Sequence, residues 1–468
     1  MSQFLFVNPS SHRVKGATAV ALTMPPMGLL SLAAVVESKG HLARIIDANL
    51  QQIDPENILV GIKECPMFIG MTVNVLTIKM ALEYAEVLKQ AFPQAVLAFG
   101  GPHASVMGRK LLDQYPCLDA VMRGEGEATL ADIVQRLGQK DILEGVRGLV
   151  YRRNGEIIDN GKRELIPDID TLPFPAYHLG PHLARYRTRS RAFPVGYIFT
   201  SRGCPAACTF CYRSFGTQWR PRSPEKVVEE IAFLRETYGI RQLDILDDNF
   251  TFDAQRASRI LELIILRRWD LKINLQVGVR VHSLTPELLR LMKRAGVFKF
   301  GFGIESGDEE ILRRIKKGLK LERALALVRE ARRLGFITHG YFMIGFPGDT
   351  PASMRRTIDF AKTLNPHYAS FSMCTPLPGT EIYDDIARHG EFLVNIEDGI
   401  DEGVFALKGF FKYGDLTPEI SAAYCETAWR EFYCRPGKVV DVVKTVRSWG
   451  EFQWLMRVGA DLVRSRKR

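Results

Sequence analysis

Apolar strand patterns and amphipathic helix patterns alternate along most of this chain. Residues 1–140 contain short apolar runs that end in glycine or a polar residue, each followed by a helical stretch such as 27–38 or 75–91. This rhythm predicts an α/β fold with a doubly wound parallel sheet, in which ligands bind beyond the carboxyl ends of the strands. Turn residues Asn154-Gly155 then predict a β-hairpin over 148–160.

The alternation resumes near residue 195 and continues to about residue 390. Six further strand–helix units predict a partial (β/α)6 barrel, in which the chemistry also lies at the strand carboxyl ends. Ser223, Thr285 and Thr350 each precede a proline and predict helix starts. The six predicted strands are 195–200, 243–246, 273–279, 298–304, 338–344 and 368–373.

Three cysteines, Cys204, Cys208 and Cys211, follow the first of these strands in a C-x3-C-x2-C run. Three thiolates on one short loop suit a [4Fe–4S] cluster whose fourth iron is left open to a small molecule. A structural zinc site is the alternative interpretation. Zinc prefers paired C-x2-C units and four closed ligands, and no second pair lies nearby in the sequence.

Polar or flexible residues follow the other predicted strands, where a barrel would gather them at one rim. Each has an ordinary structural interpretation, such as a helix cap or a turn for Asp-Asp-Asn. Their shared position is what favours a site. These candidates are Asp247, Asp248, Asn249, Arg280, Glu305, Ser306 and Gly345.

In the N-terminal part, glycines at strand ends would let the backbone approach a large flat ligand. By pattern alone the ligand is a nucleotide, a flavin or cobalamin. No G-x-G-x-x-G follows the first strand, which disfavours a dinucleotide. The candidate residues are Gly70, Thr72, Gly100, Gly101, Gly124 and Gly126.

The cysteine spacing resembles the signature of the radical S-adenosylmethionine (SAM) superfamily, with Phe210 as the aromatic residue before the third cysteine. The resemblance implies a [4Fe–4S] cluster that chelates the amino and carboxylate groups of SAM. It implies that Asp247–Asn249 lie where the family often has Gly-Gly-Glu near the SAM amino group. Glu305 and Ser306 would contact the ribose or carboxylate, Gly345 would lie beside the adenine, and Arg280 would pair with the SAM carboxylate.

Four N-terminal stretches, 25–29, 69–72, 100–103 and 123–127, resemble the cobalamin-binding domain fused ahead of many radical SAM enzymes. The D-x-H-x-x-G motif of cobalamin-dependent mutases is absent. The resemblance therefore implies cobalamin without a cobalt-ligating histidine from that motif. A lone loop histidine is usually a hydrogen-bonding or surface residue, and we interpret His103 in that way.

The whole organisation is similar to hopanoid methylases and to anaerobic magnesium-protoporphyrin ester cyclases. It implies reductive cleavage of SAM, with an electron donor such as flavodoxin or ferredoxin. Our first hypothesis is a C-methyltransferase that acts on an unactivated carbon of a lipid, a tetrapyrrole or another secondary metabolite. The alternatives are a cobalamin-dependent oxidative or ring-forming cyclase and a non-catalytic cobalamin sensor. The sequence identifies no catalytic side chain.

We expect a cobalamin domain at 1–145, a hairpin and linker at 146–193, a radical SAM domain at 194–390 and a helical extension at 391–468. The net charge of +10 suits an acidic ligand, nucleic acid or an anionic membrane, although most of it is expected to be solvated surface. No extra cluster cysteines or terminal RNA-binding domain are apparent, so no nucleic-acid partner is expected. Without a long apolar segment or a signal peptide, a cytoplasmic protein is expected.

Two helices, at 424–433 and 439–463, are predicted in the extension. Trp449, Phe452, Trp454, Leu455 and Met456 precede a basic end. Aromatic side chains beside basic residues could rest on an anionic membrane. We favour the alternative, in which the extension is a cover helix packed on the barrel.

Overall fold

The computed structural model describes residues 3–11, 24–186, 190–398, 409–449, 451–453 and 456. They form the α/β architecture that the alternation predicts, with one sheet that is parallel apart from an antiparallel hairpin and one fully parallel six-stranded sheet. The chain divides into two compact units. The first comprises Met1–Thr188, Tyr212–Gly216 and Asn395–Glu402, and the second comprises Arg189–Cys211, Thr217–Val394 and Gly403–Arg468.

Seven strands form the sheet of the first unit: β1 (Gln3–Asn8), β2 (Leu42–Asp47), β3 (Phe68–Thr72), β4 (Val96–Gly100), β5 (Ala120–Met122), β6 (Leu149–Arg153) and β7 (Glu156–Asp159). Their spatial order is β2-β1-β3-β4-β5-β6-β7, and β1 to β5 are parallel. The strand order reverses direction between β1 and β3, which is the switch point where doubly wound sheets bind ligands.

The helices of this unit are α1 (Met27–Ser38), α2 (Ala48–Gln51), α3 (Ile78–Ala91), α4 (Pro102–Met107), α5 (Arg109–Gln114) and α6 (Gly126–Gln135). Tyr84 and Leu88 of α3 share a fully buried core with Val7, Ile69 and Leu97 of the sheet. The apolar strands are therefore covered as a parallel sheet requires.

The predicted hairpin forms with Asn154 and Gly155 in its turn, and both residues have positive φ, 51° and 87°. This is the conformation that a two-residue hairpin turn needs. Strand β6 pairs antiparallel with β5, so the hairpin adds two strands to the N-terminal sheet. The domain limits at 145, 193 and 390 remain predictions.

Six strands form the sheet of the second unit: β8 (Val195–Ile198), β11 (Gln242–Ile245), β12 (Lys272–Val279), β13 (Val297–Glu305), β14 (Ile337–Ile344) and β15 (Tyr368–Met373). They are parallel and lie side by side in chain order, from β8 at one edge to β15 at the other. This is the predicted open (β/α)6 arrangement. Two short pairs, β9 (Ser201–Arg202) with β10 (Arg220–Pro221) and β16 (Glu391–Phe392) with β17 (Phe411–Lys412), complete the strands.

The helices of the second unit are α7 (Pro224–Tyr238), α8 (Ala254–Leu266), α9 (Pro286–Arg294), α10 (Glu309–Arg314), α11 (Leu321–Arg333), α12 (Pro351–Leu364), α13 (Glu381–His389), α14 (Pro418–Tyr433) and α15 (Pro436–Val443). The predicted caps are confirmed. The hydroxyls of Ser223, Thr285 and Thr350 each accept a hydrogen bond from the backbone N–H three residues later, at 3.3, 3.2 and 3.2 Å. These caps satisfy donors that a helix start leaves open.

The C-terminal helices differ from their predicted limits. Helix α14 begins at Pro418, earlier than expected, because Thr417 caps it. Helix α15 ends at Val443, and the helix predicted to run on to 463 is interrupted over 444–448. Trp454 and Leu455 of the predicted apolar stretch and the basic end 457–468 lie outside the described residues.

Among the helices that the structure describes, none is both long enough and apolar enough to cross a membrane.

Candidate functional site

The cysteine loop leaves the sheet at the carboxyl end of β8, as the barrel prediction requires. Gly203, with φ of +84°, turns the chain into the loop. The backbone N–H of Thr209 then donates to the carbonyl of Ile315 at 3.1 Å, and the carbonyl of Thr209 accepts from Ile382 at 3.0 Å. Backbone groups from the end of α10 and the first turn of α13 therefore fix the path of this segment.

The three thiols lie close enough to influence one another. Burial, followed by Cys208, Cys204 and Asp248, raises the pKa of the Cys211 thiol to about 11. Within the described chain, no three His, Cys, Asp or Glu side chains are already drawn together in metal-binding geometry. The donor set itself, three thiols on one anchored loop, fits a [4Fe–4S] cluster with one open iron.

The Asp-Asp-Asn segment follows β11, and its three side chains have different surroundings. Both carboxylate oxygens of Asp247 are occupied, since they accept hydrogen bonds from Thr200 and Ser201 at 2.5 to 2.6 Å. Asp247 thus ties β11 to the strand that leads into the cysteine loop. Asp248 is exposed, and its charge acts on Cys211. Asn249 is buried, and its Nδ2 donates to no described residue.

Five side chains gather beside the loop, and we call them the mouth cluster: Phe210, Arg280, Glu305, Lys317 and Phe346. Lys317 Nζ lies 2.7 Å from Glu305 Oε1 and 5.8 Å from the centre of the Phe210 ring. The Phe210 and Phe346 rings are 5.6 Å apart. Arg280 Nη2 donates to the carbonyl of Lys317 at 3.0 Å. Cations and aromatic faces thus flank the predicted SAM site.

Glu305 has a left-handed backbone, with φ of +70°. Residues other than glycine rarely adopt this conformation, and functional sites are where such strain collects. Gly303 leaves room for the pair, since a Cβ at that position would lie 2.7 Å from Glu305 Oε1 and 2.8 Å from Lys317 Nζ. The backbone therefore aims Glu305 at the mouth cluster.

Ser306 and Gly345, also predicted site residues, make structural contacts in this chain. The hydroxyl of Ser306 lies 3.0 Å from Thr357 Oγ1 of α12 and accepts from the N–H of Asp308. Gly345 has φ of +83°, and a Cβ there would lie 2.5 Å from Ser421 Oγ of α14. The sequence correctly placed both residues at the strand ends. Their contacts, however, are with helices α12 and α14.

In the first unit, Gly101 has a backbone conformation and close backbone contacts that favour glycine over any residue with a Cβ. Its φ is +93°, and a Cβ would lie 2.9 Å from Thr72 Oγ1 and from the backbone of Val73. Gly100 precedes it at the end of β4, and a Cβ there would meet no atom closer than 3.8 Å. The pair therefore brings the ends of β3 and β4 together beside the switch point.

The other predicted glycines differ in how much space surrounds them. A Cβ on Gly70 would lie 3.0 Å from the Phe6 ring, and one on Gly126 would lie 3.0 Å from Leu32, so both serve close packing. Gly124 has φ of +77° with open space around its Cβ position, and its N–H donates to Ser105 Oγ at 3.0 Å. Gly124 is thus the one of these three that leaves room for a ligand.

His103 follows the two glycines and is 5% exposed. Burial lowers its pKa, and it forms a hydrogen bond with the backbone of Glu397, in a segment of the same unit. The interpretation of His103 as a hydrogen-bonding residue agrees with this contact.

Two families of known proteins match this sequence. The Radical SAM superfamily matches residues 198–361, and the B12 binding domain matches residues 14–134. An uncharacterized methyltransferase of Pyrococcus horikoshii is 35% identical over 441 residues, which are 93% of each chain. The chain belongs to the B12-binding radical SAM enzymes. This B12-binding radical SAM enzyme uses a [4Fe–4S] cluster, SAM and cobalamin.

Further relatives extend the comparison. The cytidylyl-2-hydroxyethylphosphonate methyltransferase of Streptomyces wedmorensis is 30% identical over 90% of this B12-binding radical SAM enzyme and 88% of its own length. The solved structure of the radical SAM methyltransferase TsrM from Kitasatospora setae shares the fold, with a TM-score of 0.71 at 18% identity over 93% of this chain and 90% of that one. The solved structure of the cobalamin-dependent SAM radical enzyme OxsB also shares the fold. Its TM-score is 0.73 at 18% identity, over 98% of this chain and 70% of that chain.

Sequence reasoning on this B12-binding radical SAM enzyme missed two members of the mouth cluster. Phe346 lies in the Gly-Phe-Pro-Gly turn after β14, whose glycines drew attention while its aromatic ring did not. Lys317 lies in the loop after α10, and no motif marks it. Its position opposite Glu305 depends on how two loops return to the rim, which a linear pattern does not show.

Proposed function

We propose that this enzyme transfers a methyl group to an unactivated carbon of a small-molecule substrate. One observation carries the proposal. Two relatives that are at least 30% identical and match over nearly their whole length are both named methyltransferases. An anaerobic magnesium-protoporphyrin ester cyclase of Synechocystis is 28% identical, and this chain covers 68% of its length.

The cysteine loop would hold the cluster through Cys204, Cys208 and Cys211. When bound, the cluster supplies the electron for SAM cleavage and cobalamin supplies the methyl group. The chain's own contribution is to position and to shield. Arg280 would grip the SAM carboxylate, and the buried Nδ2 of Asn249 would donate to SAM. The Phe210 and Phe346 rings would exclude water from the mouth cluster.

In the first unit, Thr72, Gly100, Gly101 and Gly124 would hold cobalamin at the switch point. The observation in favour is that Gly101 and Gly124 both require positive φ, so that backbone approaches the ligand without side chains. The packing of Gly70 and Gly126 supports these turns from behind.

The test is anaerobic turnover with SAM that carries a 13C-labelled methyl group, and mass spectrometry of the products. Methyl transfer predicts labelled product together with 5′-deoxyadenosine. Product without label, alongside 5′-deoxyadenosine, would establish the cyclase alternative. Loaded, reduced protein that never forms 5′-deoxyadenosine would favour the sensor alternative. Cys204→Ala protein is the control, because it would keep cobalamin and lose SAM cleavage.

We also propose a flavodoxin or ferredoxin as the electron donor. The five other cysteines are scattered through the chain, which leaves no obvious second cluster to relay electrons: Cys65, Cys117, Cys374, Cys425 and Cys434. Reduced flavodoxin should support SAM cleavage at a rate comparable with a chemical reductant. Failure of both flavodoxin and ferredoxin would contradict this assignment.

Peripheral membrane contact through the extension is a separate proposal. Trp449 and Met456 are 70% and 59% exposed, and three valines of α15 are more than half exposed. The sequence that follows is basic, with Arg464, Arg466, Lys467 and Arg468. Apolar side chains beside basic residues favour an anionic lipid surface. Co-sedimentation with phosphatidylserine vesicles but not with phosphatidylcholine vesicles would support it, and sedimentation with neither would refute it.

A further inference from the structure

Helices of the second unit pack on one face of the barrel sheet. A Cβ on Gly196 of β8 would lie 2.6 Å from Ile240 and close to Leu234 of α7. On β14 and β15, Phe342 stacks on Phe371, whose ring also contacts Trp429 and Phe432 of α14. Because side chains alternate along a strand, the neighbours of Phe342 and Phe371 point to the opposite, inner face.

That inner face is polar and partly open where β14 and β15 meet. His339, Tyr341 and Ser370 are half-buried, and Ser372 is exposed. His339 Nε2 lies 2.8 Å from Ser370 Oγ, and its ring stacks on Tyr341 with 4.4 Å between the ring centres. Closed parallel barrels are usually filled with branched apolar side chains. This interior is built differently.

Beyond β13, strands β12 and β11 carry further polar side chains on the same face of the sheet. Asn274 donates from Nδ2 to Asp244 Oδ2 at 3.0 Å, and Asp244 also accepts from Gln242 at 2.7 Å. Asn274 is 4% exposed, yet its Oδ1 accepts no hydrogen bond from any residue in the described part of the chain. A buried acceptor without a donor is costly, and a ligand group can relieve it.

The same wall reaches the mouth cluster. Tyr341 lies near Glu305, and burial of the phenol, followed by the Glu305 charge, raises the Tyr341 pKa. Gly301 makes room for the Tyr341 ring, since a Cβ there would lie 2.5 Å from that ring. A substrate along this wall would therefore extend from the SAM end of the barrel towards Asn274.

We propose that His339, Tyr341, Ser370 and Asn274 form the substrate-binding wall, and that the substrate is a small polar metabolite bearing hydroxyl or amide groups. This inference rests on the proposed enzymatic function. A hydrocarbon substrate would strip water from these groups and return no hydrogen bonds. Sites built to hydrogen-bond a substrate reject analogues that lack the matching polar groups.

The test uses the enzyme loaded with cluster, cobalamin and SAM, and two fractions of cells of its source organism as probes. One probe is the aqueous fraction of small molecules, and the other is the hexane-extractable fraction. We expect the aqueous fraction to raise the rate of 5′-deoxyadenosine formation above the rate without any fraction. Stimulation by the hexane fraction alone, or by neither fraction, would overturn the inference.

Labelled methyl groups separate this inference from the proposed function. With deuterated methyl on SAM, label should enter a compound of the aqueous fraction. If no label enters either fraction, methyl transfer fails, while the pattern of 5′-deoxyadenosine stimulation still decides whether the substrate is polar.

Variants of the wall test the residues themselves. Ser370→Ala and His339→Phe should each raise the amount of aqueous fraction needed for half-maximal stimulation by about tenfold, the equivalent of one lost hydrogen bond. Cobalamin absorbance and iron content at wild-type levels would show that each variant has folded. Thr363→Ala, an exposed hydroxyl on α12, is the matched control and should respond as wild type. Wild-type stimulation of both wall variants would remove these residues from the site.

Discussion

Lys317 Nζ and Glu305 Oε1 form an ion pair of 2.7 Å, and their side chains are only 14% and 9% exposed. The pair lies beside Phe210, one residue before the third cysteine of the loop. It therefore couples the strained end of β13 to the predicted cluster site. Little solvent is available to screen the charge on either partner.

Replacing Lys317 with methionine should leave a nearly buried carboxylate without its partner. We expect a loss of about 3 kcal/mol in the free energy of unfolding, together with weaker SAM binding. Chemical denaturation and equilibrium binding of SAM would measure the two effects.

The neighbouring residue offers a control for this variant. Lys316 pairs with Glu381 at 2.6 Å, but both side chains are about half exposed. Lys316→Met should therefore change stability by less than about 1 kcal/mol. Equal losses in the two variants would contradict a special role for the Glu305–Lys317 pair.

Substitution of any one of Cys204, Cys208 or Cys211 by alanine should abolish the cluster and SAM cleavage, because each supplies one of three thiolates. Cobalamin binding to the first unit should persist. Iron and sulfide analysis with electron paramagnetic resonance would check the first effect, and cobalamin absorbance the second. Cys65→Ala, which removes an exposed thiol, should retain a full cluster. A complete cluster in any of the three variants would refute the ligand assignment.

Gly101→Ala should destabilise the first unit by about 2 kcal/mol, since alanine is strained at φ of +93° and its Cβ would crowd Val73. Cobalamin affinity should fall with it. Gly100→Ala is the matched control for stability, because its Cβ meets nothing closer than 3.8 Å. Thermal unfolding would distinguish the two variants, and cobalamin titration would measure the loss of affinity in Gly101→Ala. Unchanged stability in Gly101→Ala would show that the turn is less constrained than its backbone indicates.

The extension covers the edge of the barrel sheet that β15 forms. The hydroxyl of Tyr433 accepts from the N–H of Ala369 and donates to its carbonyl, both at 2.8 Å, and Trp429 Nε1 donates to the carbonyl of Phe371 at 3.0 Å. These contacts satisfy backbone groups of β15 that an edge strand would otherwise leave open. The cover-helix interpretation of the extension fits α14.

Tyr433→Phe removes both hydrogen bonds to Ala369 while keeping the ring. We expect a loss of about 1 to 3 kcal/mol in the free energy of unfolding, because two backbone groups lose their partner. Tyr424→Phe, on the same helix, should be close to neutral. Denaturation curves would compare them, and equal curves for the two variants would argue against edge protection by Tyr433.

Asp244 gives a pH dependence whose direction can be worked out. Burial raises its pKa from 3.8 to about 6, so the folded state binds the proton more tightly than the unfolded state. Stability contributed by the protonated form is therefore lost as the pH rises from about 4 to about 6. Relative to Asp244→Asn, wild type should lose up to about 3 kcal/mol across that window.

Urea unfolding at several pH values would measure this difference. Asp270→Asn is the control, since Asp270 is exposed and beside Lys272, which lowers its pKa. Relative to Asp270→Asn, wild type should lose no stability as the pH is raised through the same window. A flat difference between wild type and Asp244→Asn would mean that Asp244 is already ionised at pH 4.

Local patterns determined much of this protein. Strand limits, the Ser223, Thr285 and Thr350 caps, and the position of the cysteine loop all follow from neighbouring residues, because hydrogen-bonding needs at helix ends and side-chain alternation act over a few positions. The repeated strand–helix unit then predicts parallel pairing of the strands, since parallel neighbours need such crossovers.

Tertiary structure decided which rim residues are available to a ligand. Asp247 and Ser306 look like site residues in sequence, yet Thr200 and Thr357 occupy their oxygen atoms. Lys317 carries no motif, yet it meets Glu305. Whether a polar side chain binds a ligand or its own protein depends on which distant segment packs beside it, and that information is held in three-dimensional packing instead of in the spacing of residues along the chain.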